Sequence, residues 1–188
     1  MHGPIIDGEQ VRLRPHCPED AKAFISFMAD PEVIRYLTTS SPLSLAGEEA
    51  WIEERAADPN TFGWTIEHVD DRRPIGAVGL DKIDWRRSTG VAGLFIGDKA
   101  LWGRGIASEA LRLAVDHIFT SLPLRKIKAS YLAPNVASGN LQAAAGFREV
   151  GRWQGEYFRG GYWVDEVLTE LSREDWQKRK SERGGEAG

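Results

Sequence analysis

Only one cysteine, Cys17, stands among the 188 residues. A disulfide framework is therefore excluded, and a reducing compartment suits the chain. Positive charge is not in excess. Against 24 Lys and Arg stand 28 Asp and Glu, a net charge of -4, so no basic face is implied and nucleic acid is not expected as a partner. No stretch approaches the roughly 20 apolar residues that span a bilayer. The first ten residues are polar, with Gly3, Pro4 and Gly8, and lack the apolar centre of a signal peptide. The expectation is a cytoplasmic protein that engages no membrane. His2, His16, His68 and His117 show no metal-ligand spacing, so no metal is expected. No histidine sits in a pattern that would make Cys17 a nucleophile.

What is present is one core. Hydrophobic residues make up 41% of the chain, enough for one domain and too little for two. No repeat or linker interrupts it, and a single domain is expected over 1–176. Val11-Arg12-Leu13-Arg14 alternates as a strand ended by Pro15. Pro18, Glu19 and Asp20 mark a helix start. Ala21, Phe24, Ile25 and Met28 continue it until Asp30-Pro31 breaks the run. Ser44 is placed to cap a second helix ending at Ala57. From Phe62 the period changes to two, and strands at 62–66, 75–83 and 91–96 give an antiparallel meander. Ala107, Ala110, Leu111, Ala114, Val115 and Ile118 line one face of a long helix. Lys126 to Leu132 reads as a strand, and a helix over 137–145 stops at Gly146. Segments 147–153 and 162–171 form a hairpin across Phe158-Arg159-Gly160-Gly161. The charged, glycine-rich segment 177–188 is expected to be disordered.

The strongest local signal is Trp102-Gly103-Arg104-Gly105-Ile106-Ala107-Ser108, between a strand and the long helix. Two glycines allow backbone conformations that a Cβ forbids and let a ligand approach closely. The helix start presents unpaired N–H groups and the positive end of the dipole, a place suited to phosphate. Arg104 adds a charge. An ordinary tight turn fits the same residues. A Rossmann site is disfavoured because the preceding strands do not alternate with helices, and no Gly-Lys-Ser/Thr marks a Walker loop.

In order and residues together, the chain resembles the GNAT superfamily of N-acetyltransferases, of the RimJ/RimL type. Four pieces carry the resemblance over roughly residues 9–176. Val11-Arg12-Leu13-Arg14-Pro15, with Pro18-Glu19-Asp20-Ala21 and Asp30-Pro31-Glu32-Val33, resembles the opening strand and helix. Ile75-Gly76, Gly79-Leu80 and Ile83-Asp84 resemble the third strand. The turn from Trp102 to Ala110 resembles the pyrophosphate loop. Asn135-x-x-Ser138 followed by Gly146-Phe147 resembles the last motif. The implied fold is α+β, with a mixed, mostly antiparallel central sheet flanked by helices. The implied cosubstrate is acetyl-CoA, held by Trp102, Gly103, Arg104, Gly105, Ile106, Ala107, Ser108 and Asn135.

The resemblance also implies a mechanism. An amine attacks the thioester carbonyl directly. A lysine-type amine, with a pKa of about 10.4, is almost wholly charged at neutral pH, whereas an α-amine near about 7.7–8.0 needs less help from a base. The strand near Leu94, Phe95 and Ile96 supplies an N–H to the oxyanion. Ser138 protonates the thiolate. The family often has Glu where Val91 stands and Tyr where Gln142 stands. With Val91 in place, Asp84 is the expected base, acting through water; a solvated carboxylate at a strand end fits it equally. Asn135 and Ser138 are also common helix-start residues.

Trp85, Tyr157 and Phe158 lie at turns and are expected to line an acceptor cleft, with simple packing as the other reading. Glu156, Asp165 and Glu166 are placed either to attract a cationic acceptor or on an exposed hairpin. The acceptor is a primary amine of a protein N-terminus, a polyamine or an amino-sugar, and the protein a monomer or homodimer. The competing reading is a catalytically silent module of this fold that binds CoA or a small molecule such as an antibiotic.

Overall fold

The computed structural model describes residues 3–38 and 44–185. Along the chain run β1 (Ile6–Asp7), β2 (Val11–Arg14), α1 (Asp20–Met28), α2 (Pro31–Ile34), α3 (Leu45–Ala57), β3 (Phe62–His68), β4 (Pro74–Asp84) and β5 (Thr89–Ile96). A 3-10 turn (Lys99–Leu101) leads to α4 (Ile106–Ser121), β6 (Lys126–Leu132), α5 (Val136–Ala145), β7 (Arg148–Arg159), β8 (Tyr162–Ser172) and α6 (Arg173–Gly185). The strands form one sheet in the order β1-β2-β3-β4-β5-β6-β8-β7. It is antiparallel except between β5 and β6, as a meander, a helical crossover and a hairpin require.

Local chemistry sets the boundaries. The carboxylate of Asp20 accepts from the Cys17 N–H (3.0 Å), and α1 begins there, two residues after Pro18. Asp30 is a fresh start as well as a break, because its carboxylate takes the Glu32 N–H (2.9 Å) and caps α2. Ser44 Oγ accepts from Gly47 N–H (3.1 Å) and caps α3. Gly160 and Gly161, both with positive φ, close the β7–β8 hairpin in the two-residue turn that suits strand twist.

Successive side chains alternate between the two faces of the sheet. Leu94 and Ile96 of β5 join the core formed with Ala110, Ala114 and Ile118 of α4 and with Ile127 and Leu171. Phe95 points the other way, its ring 5.6 Å from that of Phe24 on α1. One face therefore carries α4 and α5, and the other carries α1 and α3.

The 177–188 expectation needs correction. Helix α6 continues through Gly185, and 186–188 lie outside the described residues. Composition misleads because the anchors are long-range. Arg173 donates to the carbonyls of Phe119 (2.6 Å), Leu122 (2.6 Å) and Leu124 (2.7 Å), and thereby serves the end of α4. Trp176 stacks on Phe119 at 5.2 Å, and its Nε1 donates to Asp116 (2.6 Å). Arg179 donates to the Ala144 carbonyl (2.6 Å) and Arg183 to Asp116 (3.2 Å). With α4 and α5, α6 borders a cleft of about 570 Å³ that extends from Ser108 past Arg112 and Leu141 to Arg179.

Candidate active site

The site begins where the sheet opens. β5 and β6 pair at Thr89↔Lys126, Gly90↔Ile127 and Val91↔Lys128. Residues 92–96 and 129–132 continue without pairing to each other. The inner edge of β5 is consequently uncovered. The Gly97 N–H donates to the Ile75 carbonyl (2.8 Å), so by the antiparallel alternation Phe95 and Gly93 also turn their N–H toward β4. Leu94 and Ile96 then turn theirs toward the opening. Gly93 is exposed, and a Cβ there would meet nothing within 4 Å. The edge is thus smooth, donor-bearing and open.

The glycine-rich turn lies at the wide end of that opening. Gly103 has φ 74° and Gly105 φ 83°. Neither is crowded: a Cβ on Gly103 would touch nothing within 4 Å, and one on Gly105 would lie 3.7 Å from the Gln10 amide. Backbone conformation requires these glycines, and the space above them is free. Gly105 is the N-cap of α4 and supplies no side-chain cap. The Glu109 N–H closes the first helical bond, to the Gly105 carbonyl (3.0 Å), which leaves the N–H groups of Ile106, Ala107 and Ser108 without an intrahelical acceptor. Arg104 is exposed beside them. Trp102 donates its Nε1 to the Ile96 carbonyl (2.9 Å) and so pins the turn to the end of β5.

Across the opening, α5 presents Ser138. Asn135 is the cap of α5: its Oδ1 accepts from the Ser138 N–H (3.1 Å), and its amide nitrogen is left as a donor. Ser138 Oγ accepts from Gln142 Nε2 at 3.3 Å. Gln142 is buried, with Nε2 also donating to the Ser130 carbonyl (3.2 Å) and Oε1 accepting from Thr169 Oγ1 (2.6 Å). Since Ser130 O can only accept, the amide orientation is fixed. The hydroxyl of Ser138 is thereby held with an oxygen lone pair occupied and its proton directed elsewhere.

Asp84 is not part of this arrangement. It ends β4 opposite Thr89, at the paired end of the opening. Its Oδ1 accepts from the Arg87 N–H (2.9 Å), and its Oδ2 lies 3.6 Å from Arg87 Nε. Ser138, joined through Gln142 Nε2 to the Ser130 carbonyl, stands level with the outer half of β6, four positions beyond Lys126, or about 13 Å at ~3.3 Å per residue. Asp84 and Ser138 are thus not brought together, and Asp84 serves its hairpin. Trp85 lies at the same end, 43% exposed, with Nε1 donating to Asn60 (2.9 Å). The terminal hairpin lies nearer the opening. Glu156 and Phe158 are exposed; Tyr157 is half-buried. Phe158 packs on Trp163 at 5.4 Å. Arg159 Nη2 donates to the Leu37 carbonyl (3.1 Å) and ties the hairpin to the loop after α2. Two features go beyond the sequence. Gln142 holds Ser138 through a buried amide, and Glu166, expected either to attract a cationic acceptor or to lie on an exposed hairpin, is buried. Its even-numbered place between Val164 and Leu168 on a strand of period two was the available signal. Among the described residues, no group of three His, Cys, Asp or Glu is placed to hold a metal, and His2 lies outside them.

Comparison with known proteins bears on this geometry. The acetyltransferase (GNAT) domain family matches residues 10–148. The chain belongs to the GNAT acetyltransferase family. As a GNAT member it is an enzyme of the N-acetyltransferase class. A Bacillus subtilis relative named as a probable N-acetyltransferase, YjcK, is 35% identical over 182 residues, covering 92% of this chain and all of the relative. The fold is shared with a Vibrio cholerae spermidine N-acetyltransferase solved with CoA and spermine, at TM-score 0.82 and 22% identity, covering 90% of this chain and 99% of that one. It is also shared with Mycobacterium smegmatis RimJ solved with CoA-disulfide, at TM-score 0.77 and 24% identity, covering 88% and 83%.

Proposed function

We propose that this GNAT enzyme uses acetyl-CoA and transfers the acetyl group directly to a primary amine of a small molecule or peptide. The observation that carries the proposal is the junction of an uncapped helix start with an open parallel strand pair. The N–H groups of Ile106, Ala107 and Ser108, with Arg104, form an anion site. The adjoining edge of β5 offers Leu94 and Ile96 as donors beside an open Gly93. A diphosphate joined to a long polar arm fits that junction. The arm lies between β5 and β6, with Asn135 donating to it. Its thioester carbonyl then meets the strand N–H groups, which stabilise the negative charge that develops on addition. As the tetrahedral species collapses, the C–S bond breaks and Ser138, oriented by Gln142, donates its proton to the thiolate.

The test is release of free CoA from acetyl-CoA with a panel of primary amines that includes spermidine and an alanine-initiated peptide. Turnover with at least one amine supports transfer. Binding of acetyl-CoA without turnover on any amine favours a silent CoA-binding module, a reading kept in view by Val91, which puts no acid beside the opening.

A further inference from the structure

Most buried carboxylates of this fold are used by it. Asp20 accepts from Arg14 and Thr65. Glu67 accepts from Arg14 and Arg72. Glu109 accepts from the backbone N–H groups of Glu9 and Gln10. Glu166, on β8 between β6 and the edge strand β7, is 6% exposed and accepts a hydrogen bond from no described residue. Such a group is costly to bury unless something pairs with it. Its surroundings indicate what does.

Register places Glu166 on the α1 side of the opening. Val91 of β5 pairs with Lys128 of β6, and directly paired residues share a face. Leu132 shares the face of Lys128 by alternation, and Glu166 is the partner of Leu132. Gly93 and Phe95 lie on that same face of β5. Leu132 ends β6 at the wide end, so Glu166 is one strand removed from the gap between Phe95 and Leu132. The Gln142 network meets the opposite face, through Thr169. Ser138 and Glu166 therefore stand on opposite faces of the sheet, so the group that protonates the thiolate and the group that meets the amine do not compete for one place.

Aromatic rings frame the carboxylate. Trp153 pairs with Glu166, and Tyr157 pairs with Val164 on the same face. Burial pushes the Tyr157 hydroxyl up, and the charges of Glu166 and Glu156 push it further. The nearby cation, Arg159, stacks 5.6 Å from the Tyr157 ring and spends its donor on Leu37. A carboxylate beside aromatic faces is a recognition site for an ammonium group.

We infer that Glu166 binds the acceptor and takes its proton, and that the acceptor is therefore a cationic primary amine. This rests on the acetyl-transfer reading above. The ammonium R–NH3+ gives one proton to the Glu166 carboxylate, which passes it to water. The neutral nitrogen forms the C–N bond and sheds a second proton, matched by the one the departing thiolate carries away. The products are the amide, CoA–SH and one proton.

The test compares wild type with Glu166→Gln, Glu166→Asp and Glu48→Gln. Glu48 on α3 is a buried carboxylate whose carboxyl burial pushes up, and it serves as the control for removing a buried charge. Spermidine, an alanine-initiated peptide and the small monoamine ethanolamine are the acceptors, and CoA affinity and thermal unfolding are read in parallel. Glu166→Gln is expected to lower kcat/KM for the preferred amine at least 30-fold with CoA affinity unchanged, Glu166→Asp to restore part of it, and Glu48→Gln to stay within threefold. Unchanged kcat/KM in Glu166→Gln, or an equal loss in Glu48→Gln, overturns the assignment. Loss of CoA affinity or of the folded state in Glu166→Gln with normal turnover per folded site in Glu166→Asp and Glu48→Gln overturns it too, in favour of a packing role. Absence of turnover on every amine in wild type overturns it while retained CoA binding leaves the cosubstrate reading standing.

Discussion

Gln142 Nε2 donates to Ser138 Oγ at 3.3 Å while its Oε1 accepts from Thr169. One buried amide thus links the serine of α5 to two strands of the sheet. Position 142 is thus spent on orientation, and in the proposed reaction Ser138 is the proton donor. Ser138→Ala is expected to lower kcat by about 100-fold, the lower range of general-acid effects, with the KM for acetyl-CoA little changed. Gln142→Leu removes the side-chain donor to the Ser130 carbonyl, while Thr169 Oγ1 keeps its bond to the Ala129 carbonyl (3.1 Å), and is expected to lower unfolding stability by about 1–2 kcal/mol. Steady-state kinetics and urea unfolding of the two variants check this.

The Arg14–Asp20 pair governs stability in acid. Asp20 is 2% exposed. Burial alone would raise its carboxyl, but hydrogen bonds from Arg14, Thr65 and the Cys17 N–H outweigh burial and hold it below the ordinary range. A depressed folded value means the stabilisation is fully present above the unfolded value of about 3.9 and is lost as pH falls through the folded one. Asp20→Asn is expected to cost about 3 kcal/mol near neutral pH, because Arg14 is left without its buried partner. The variant should also lose much of the fall in stability that wild type shows below about pH 4. Unfolding curves at several pH values decide it.

Helix α6 is a structural element, and Arg173 is its anchor. Three carbonyls at the end of α4 accept from this one guanidinium. Arg173→Ala is expected to lower the melting temperature, with a loss of about 2–3 kcal/mol from the carbonyls left unpaired. Amide exchange at the last turn of α4 should quicken in the same variant. Unchanged exchange there would contradict the capping role.

Much of the fold was legible in the sequence because its signals are local. The meander, the long helix and the two-residue hairpin follow from periods of two and 3.6 and from Gly160-Gly161. The glycine-rich turn was legible for the same reason: Gly103 and Gly105 both take the positive φ that their residue type favours. What was not legible depends on residues far apart in the chain. Asp84 looked available as a base, but its carboxylate closes on Arg87 at the wrong end of the opening. The tail looked disordered by composition, yet Trp176 and Arg179 find α4 and α5. For Glu166 the sequence left an acceptor-attracting carboxylate and hairpin surface both open, and only the pairing of β8 with both β6 and β7 shows it buried.

The central claim is that the Gly103–Gly105 turn and the start of α4 hold the diphosphate of acetyl-CoA. Calorimetric titration of CoA into wild type and Gly105→Asp tests it most directly. The space around Gly105 admits a side chain, so the variant's folding cost is limited to its positive φ, on the order of 1–2 kcal/mol, while its charge faces the diphosphate. The account predicts one-site binding to wild type and at least tenfold weaker binding to a folded Gly105→Asp. No binding to wild type, or equal affinity in the folded variant, would contradict it.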